Sequence, residues 1–226
     1  MNEQEMIIRV AQDIAPPGAQ QNVERTMLSF YELFYQYESA LELVKTQLEV
    51  LNEGFNMQFQ RNPIHNVEAR VKSAKSIAEK LEKKGYPVTP VTARTHLKDI
   101  AGVRVTCSYL EDIYFLVDLL KNRCGYRTVK EKDYIRNPKP NGYRSYHLIV
   151  EVPAYFEHGQ EYIPVEIQIR TIAMDFWASL EHQLHYKTLG DETAASTLAQ
   201  ELKECAETIA QTDQRMQEML HRIEKL

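Results

Sequence analysis

From Tyr162 to Thr171 the chain alternates, with Val165, Ile167 and Ile169 interleaved with Glu166, Gln168 and Arg170. Successive side chains of a strand point to opposite faces. The spacing therefore predicts a strand whose apolar side enters a core while a carboxylate, an amide and a guanidinium line the other side. Upstream, Leu148–Val152 is a second apolar strand, preceded by a polar turn that carries Lys139, Tyr143, Arg144 and His147. One alternating strand is commonly just the solvated face of an antiparallel sheet. A polar row opposite a turn of cations and aromatic groups favours a site.

Long helices are expected at both ends. Val23, Met27, Phe30, Phe34, Tyr37, Leu41, Val44, Leu48 and Leu51 keep an unbroken 4-3 spacing, which predicts one helix over about 21–52. Leu198, Leu202, Cys205, Ile209, Thr212, Met216, Met219 and Ile223 repeat it. The two seams can pair within one molecule or between subunits. Residues 1–20, closed by Pro16-Pro17-Gly18, read as a mobile arm, with an amphipathic helix over 1–14. The working division is an arm at 1–20, a domain at 21–190 that includes the long first helix, and an assembly helix at 191–226.

Between the seams, the pattern predicts a helix from about Asn66 to Lys84, closed by Gly85, on which Ser73, Ser76 and Lys80 share a face. A turn at Leu97–Ala101 enters a strand that carries Arg104, followed by a helix from about Leu110 to Cys124 and a strand from Tyr126 to Ile135. The two late strands follow, then a helix from Ala173 to Lys187. Adjacent late strands point to an α+β domain with a mixed or antiparallel sheet flanked by helices.

Composition narrows the function. A formal net charge of −5 argues against a general nucleic-acid binder, whose affinity rests on a basic surface. Cys107, Cys124 and Cys205 are widely spaced and lack a CxxC pair, so they read as reduced thiols. No apolar run approaches a membrane span and Met1–Glu5 lacks the basic start of a signal peptide, so a cytoplasmic protein without membrane contact is expected.

Asp99 and Glu166 suit magnesium held jointly with substrate phosphates. Arg70, Lys72, Lys80 and Arg104 can neutralise polyphosphate, and phosphoryl transfer depends mainly on such positioning and charge stabilisation. Tyr143 offers a flat face to a nucleobase. Neither a Walker A loop nor a GxGxxG is present, so a nucleotide is not held by a glycine-rich cradle of either type. The bland alternatives are a cap for Asp99, a surface ion pair for Arg104 and a satisfied strand histidine for His147.

Arg70-Val71-Lys72-Ser73, Asp99-Ile100-Ala101-Gly102-Val103-Arg104, Asn141-Gly142-Tyr143-Arg144-Ser145-Tyr146-His147 and Glu166-Ile167-Gln168-Ile169-Arg170-Thr171 resemble, in this order, the synthetase motifs of the RelA/SpoT superfamily. The segment from Asp175-Phe176-Trp177 to Tyr186-Lys187 resembles the small alarmone synthetases, closest to the RelP/RelQ type. The resemblance implies a mixed five-stranded sheet flanked by helices. It also implies transfer of the β,γ-pyrophosphate of ATP to the 3′-hydroxyl of GTP or GDP, with Mg2+, in a bacterial homotetramer. By position, Arg70 and Arg104 would clamp adenine, and Lys72 and Lys80 would hold the ATP phosphates with Ser73 and Ser76 nearby. Asp99 would bind magnesium. Glu166 would bind it too or take the proton of the 3′-hydroxyl, and Gln168 would order the site. Tyr143 would stack on guanine with Lys139, Asn141 and His147 around it, and Glu181 is a further candidate. Tyr146 stands where the motif usually has leucine. The competing readings are a toxic relative that modifies tRNA or another nucleotide, and an inactive nucleotide-sensing module.

Overall fold

The computed structural model describes residues 20–187 and 192–225. The helix predicted for 1–14 lies outside them, as does the arm except for Gln20, where helix α1 (Gln20–Phe59) starts. Its predicted seam is real, and it faces inward: Tyr37, Leu41, Val44 and Leu48 are buried, with Phe30, Phe34 and Leu51 packed beside them. What covers this seam is the sheet, since α1 packs on four of its strands.

The segment predicted as helix from Asn66 begins instead as strand β1 (Ile64–Val71). Val67 and Val71 are four apart and satisfy a helical period, and Ala74, Ile77 and Leu81 continue it. Ala69 also falls on the sheet's core side, and Glu68 and Arg70 on the other, which is the period of a strand; Ile64 joins the core through the register shift between Ile64 and Asn66. Ser73 marks the true helix start. Its backbone is extended and its hydroxyl accepts from the Ser76 N–H at 3.3 Å, capping α2 (Ala74–Lys83). A short helix α3 (Pro90–His96), absent from the sequence reading, follows a Thr89–Thr92 capping box with proline in its first turn. The remaining elements agree with expectation: β2 (Ala101–Cys107), α4 (Leu110–Asn122), β3 (Arg127–Asp133), β4 (Tyr146–Phe156), β5 (Gly159–Thr171), α5 (Ile172–Lys187) and α6 (Glu192–Ile223).

The strands form one mixed sheet in the order β1-β2-β5-β4-β3, with only β2 and β5 parallel. One face is the core. Val103, Leu148, Val150, Val165, Ile167 and Ile169 are buried there among side chains of α1 and α4. Tyr146 joins them, 7% exposed, and its hydroxyl donates to Glu131 at 3.0 Å. It therefore leaves the face used by His147 untouched. Pairing across the other face sets Glu68 beside Arg104, Arg104 beside Gln168, Gln168 beside His147 and His147 beside Lys132. A second row runs Arg70, Gly102, Glu166 and Ile149.

Helix α6 departs from its predicted seam by about one position. Ala206, Asp213, Gln217 and Leu220 are buried, whereas Cys205, Thr212, Met216, Met219 and Ile223 are exposed. The helix packs on α5 and α4. Among the described residues no helix is long and apolar enough to cross a membrane.

Candidate active site

The polar face of the sheet opens into a cleft of about 400 Å³ lined by Glu68, Arg70, Lys72, Asp99, Gly102, Arg104, Glu166 and Gln168. Arg70 and Arg104 are diagonal neighbours on adjacent strands, and the residue opposite Arg70 is Gly102. No side chain rises there. The Arg104 Nη1 donates to Glu68 at 3.2 Å, while its buried Nε has no hydrogen-bond partner and lies 3.7 Å from Asp175.

At one end, Lys72 Nζ donates to the Asp99 Oδ2 at 2.6 Å and to its carbonyl at 2.8 Å, and Lys80 reaches the same Oδ2. Burial disfavours ionisation of Asp99, but the two ammonium donors outweigh it and hold the carboxyl below its ordinary value. Ser73 and Ser76 bond to each other at the first turn of α2 and do not line the cleft.

Glu166 lines the same cleft. The His147 Nδ1 is 3.6 Å from its Oε1, and the Gln168 amide donates to its Oε2 at 3.1 Å. The imidazole is the largest influence holding Glu166 below its ordinary value; burial and the charge of Asp99 oppose it. The two carboxylates therefore feel each other across the cleft. Among the described residues no cluster of three or more His, Cys, Asp or Glu stands ready to hold a metal alone. Two carboxylates with few other protein ligands fit a magnesium ion that shares its coordination with phosphates.

His147 joins this cleft to the polar turn at 137–147, where acceptor contacts are expected from the sequence. Arg170 Nη2 donates to the Tyr143 hydroxyl at 2.8 Å, and that hydroxyl lies 2.8 Å from His147 Nε2. A guanidinium only donates, so the phenol oxygen accepts from Arg170. The direction of its bond with His147 follows the imidazole tautomer: a neutral ring that accepts at Nε2 carries its proton on Nδ1, toward Glu166. Lys139 Nζ sits 4.5 Å from the centre of the Tyr143 ring, and Tyr134 packs edge-on against both Tyr143 and His147. Asn141 accepts from the Tyr143 N–H and donates to Glu181 Oε1 at 3.2 Å, which brings Glu181 to the loop.

The structure thus gathers the predicted residues into two adjoining groups, with Ser73 and Ser76 set apart. It adds Arg170, which also donates to Gln168 and Asp175, and Tyr134, Glu68 and Asp175. The alternation that placed Glu166 and Gln168 also placed Arg170 on their face, so its signal was present. Glu68 was hidden by the helical reading of β1.

Residues 69–191 match the family described as a region found in RelA / SpoT proteins. The chain is 47% identical over 180 residues to the GTP pyrophosphokinase YwaC of Bacillus subtilis, covering 80% of this chain and 85% of that one. The crystal structure of the small alarmone synthetase 2 from B. subtilis superposes with a TM-score of 0.73 at 45% identity, covering 82% of this chain and 96% of that one. The small alarmone synthetase 1 from B. subtilis superposes with a TM-score of 0.76 at 34% identity when bound to its product pppGpp, covering 86% of this chain and 97% of that one. Bound to AMPCPP, it gives 0.70 at 30% identity, covering 87% and 98%. Its sheet, its motifs in order and this likeness over nearly the whole of its relatives make this chain a member of the RelA/SpoT family, similar to the small alarmone synthetases.

Proposed function

We propose that the chain is a GTP pyrophosphokinase that makes (p)ppGpp by moving the β,γ-pyrophosphate of ATP to the 3′-hydroxyl of GTP or GDP. The observation that carries this reading is the contact of His147 with Glu166, where a cleft of cations and carboxylates meets an aromatic loop. The cleft suits a donor triphosphate, the aromatic loop an acceptor base, and Glu166 touches both through His147.

Adenine would lie over Gly102 between Arg70 and Arg104. Diagonal neighbours on paired strands are about 7–8 Å apart. That is roughly two stacking distances of about 3.5 Å, the gap a base needs between two guanidinium planes. Lys72 and Lys80 hold the phosphates, and Tyr143 carries the guanine with Lys139, Asn141 and Glu181 around it. The 3′-oxygen attacks the β-phosphorus, the bridge to the α-phosphate breaks, AMP leaves and the hydroxyl proton passes to solvent or to Glu166. Because Glu166 is held below its ordinary value, it is a weak base and is ionised at neutral pH. This favours charge support of the nucleophile over early proton abstraction. Mg2+ held by Asp99 and Glu166 would supply charge neutralisation at the transferring phosphates. Gln168 and Arg170 fix the orientation of Glu166 and Tyr143.

The exposed Met216, Met219 and Ile223 of α6 support assembly, to a homotetramer in our reading, and we place the enzyme in the cytoplasm. Incubating the protein with labelled ATP, Mg2+ and GTP, GDP, ATP or tRNA, then resolving the products, tests the assignment. Label on guanine nucleotides is expected. Label on tRNA, or none at all, would favour the toxic relative or the inactive sensor.

A further inference from the structure

Among the described residues, helix α6 contributes none to the lining of the cleft, yet it is fitted closely to the acceptor loop. Gly142 has φ +90, and a Cβ there would fall 2.7 Å from the Ala206 Cβ and 3.4 Å from the Lys203 Cα. The loop and helix backbones therefore approach at a point where both residues must be small. Ala206 itself is 3% exposed. Arg144 Nη1 ties the two sides by donating to the Gly142 carbonyl at 3.1 Å and the Ala206 carbonyl at 3.2 Å. One helical turn earlier, the Leu202 carbonyl accepts from the Trp177 indole at 2.8 Å, and the Trp177 ring lies 6.5 Å from that of Tyr143. Farther along, buried Asp213 accepts from the Thr171 hydroxyl at 2.7 Å, which fastens α6 to the end of β5.

We infer that Ala206 is a positioning residue for the acceptor: the seam of α6 around it holds the Gly142–Tyr143 turn at the height needed for the Tyr143 ring to meet the nucleotide base. The inference rests on the reading of that loop as the acceptor site. The donor contacts lie on or beside β1, α2 and β2, and the cleft they line shares no lining residue with the seam. Widening the seam should thus weaken use of GTP while leaving use of ATP alone.

Three variants test this with Mg2+-supplied enzyme, by steady-state kinetics and by emission of Trp177, the single tryptophan of the chain. Ala206→Leu is expected to raise KM for GTP about tenfold, the loss of part of the stacking that an aromatic ring gives a base. KM for ATP should remain within about twofold, and Trp177 emission should shift to the red as the seam opens. Ala206→Gly keeps the close approach and should behave as the parent enzyme. Arg144→Met cuts the tie to the Ala206 carbonyl without added bulk and should give the same split if Ala206→Leu does not fold. Unchanged KM for GTP in a folded Ala206→Leu or in Arg144→Met, or an equal rise in both KM values, would overturn the inference. Tyr143→Ala separates the two levels. If it raises KM for GTP while the seam variants do not, the acceptor site stands and the seam has no such role. If it leaves KM for GTP unchanged, the loop is not the acceptor site and the inference goes with it.

Discussion

Arg170 gives the sharpest mutational test of how the cleft and the aromatic loop are joined. Its side chain is 6% exposed and donates to Asp175 at 3.1 Å, Tyr143 at 2.8 Å and Gln168 at 2.9 Å. Arg170→Met keeps the aliphatic stem and removes these three bonds together with the longer one from Nε to the Ser145 hydroxyl at 3.5 Å. Breaking a buried charged pair by removing one partner costs about 3–5 kcal/mol, and hydrogen bonds to charged groups contribute about 1.5–3 kcal/mol each. Asp175 keeps a quarter of its surface in water, which lowers the cost of leaving it unpaired. A net loss of about 3–4 kcal/mol is therefore expected, or roughly 10 °C in Tm for a chain of this size. The kinetic effect should be selective, because Tyr143 and Gln168 lose their common donor: KM for GTP rises and kcat falls, while KM for ATP changes little. Arg170→Lys retains a charge but not the fork, so it should fall between the two. Thermal unfolding followed by circular dichroism and initial rates at varied GTP measure both effects. An Arg170→Met enzyme that unfolds within about 2 °C of the parent and saturates with GTP as before would refute the reasoning.

Asp99→Asn and Glu166→Gln each preserve size and should lower pyrophosphate transfer by at least about a hundredfold with an unchanged circular dichroism spectrum; near-normal turnover in either would remove that carboxylate from the mechanism. Both carboxyls are held below their ordinary values of 3.8 and 4.5, so the stability they contribute is complete above those values and is lost as pH falls through the lowered folded ones. Tm should accordingly show no loss from either group between pH 7 and pH 5, and the acid decline they cause should shrink in Asp99→Asn. Met216→Glu with Met219→Glu places charge on the exposed stripe of α6 and should reduce the mass seen by light scattering to that of one chain, whereas a parent protein that is already a monomer would end the assembly reading.

Much of the site was legible because strand alternation sorts chemistry by face. Glu166, Gln168 and Arg170 had to share a surface once Val165, Ile167 and Ile169 entered the core, and they do. The seam of α1 was equally plain, since it packs by large apolar groups. Helix α6 was not, because it packs by what a hydrophobic pattern does not register. Ala206 is small, Asp213 is buried through a bond from Thr171, and buried Gln217 accepts from the Glu111 N–H at 3.0 Å. The apolar spacing on that helix instead marks the side left open.

The arrangement of the cleft depends on pairings that no single segment encodes. Arg104 meets Glu68 only because β1 runs antiparallel to β2, and Gln168 meets Arg104 only because β2 runs parallel to β5. Reading β1 as helix therefore cost more than one element, since it removed the strand that sets Arg70 diagonally from Arg104. The identity of the residues and the place of the glycine were in the chain; the spacing between the two guanidinium groups came from the register. The same holds for His147. Alternation put it on the polar face, but its approach to Glu166 follows from β4 placing it two residues along from that carboxylate's own partner, His147 opposite Gln168 and Ile149 opposite Glu166. A one-residue slip of β4 would turn His147 into the core and disconnect Tyr143 from Glu166. The hairpin at Gly159, with φ +124, and the apolar pairs Leu148–Ile167 and Val150–Val165 fix that register, so the contact of His147 with Glu166 is set by residues outside it.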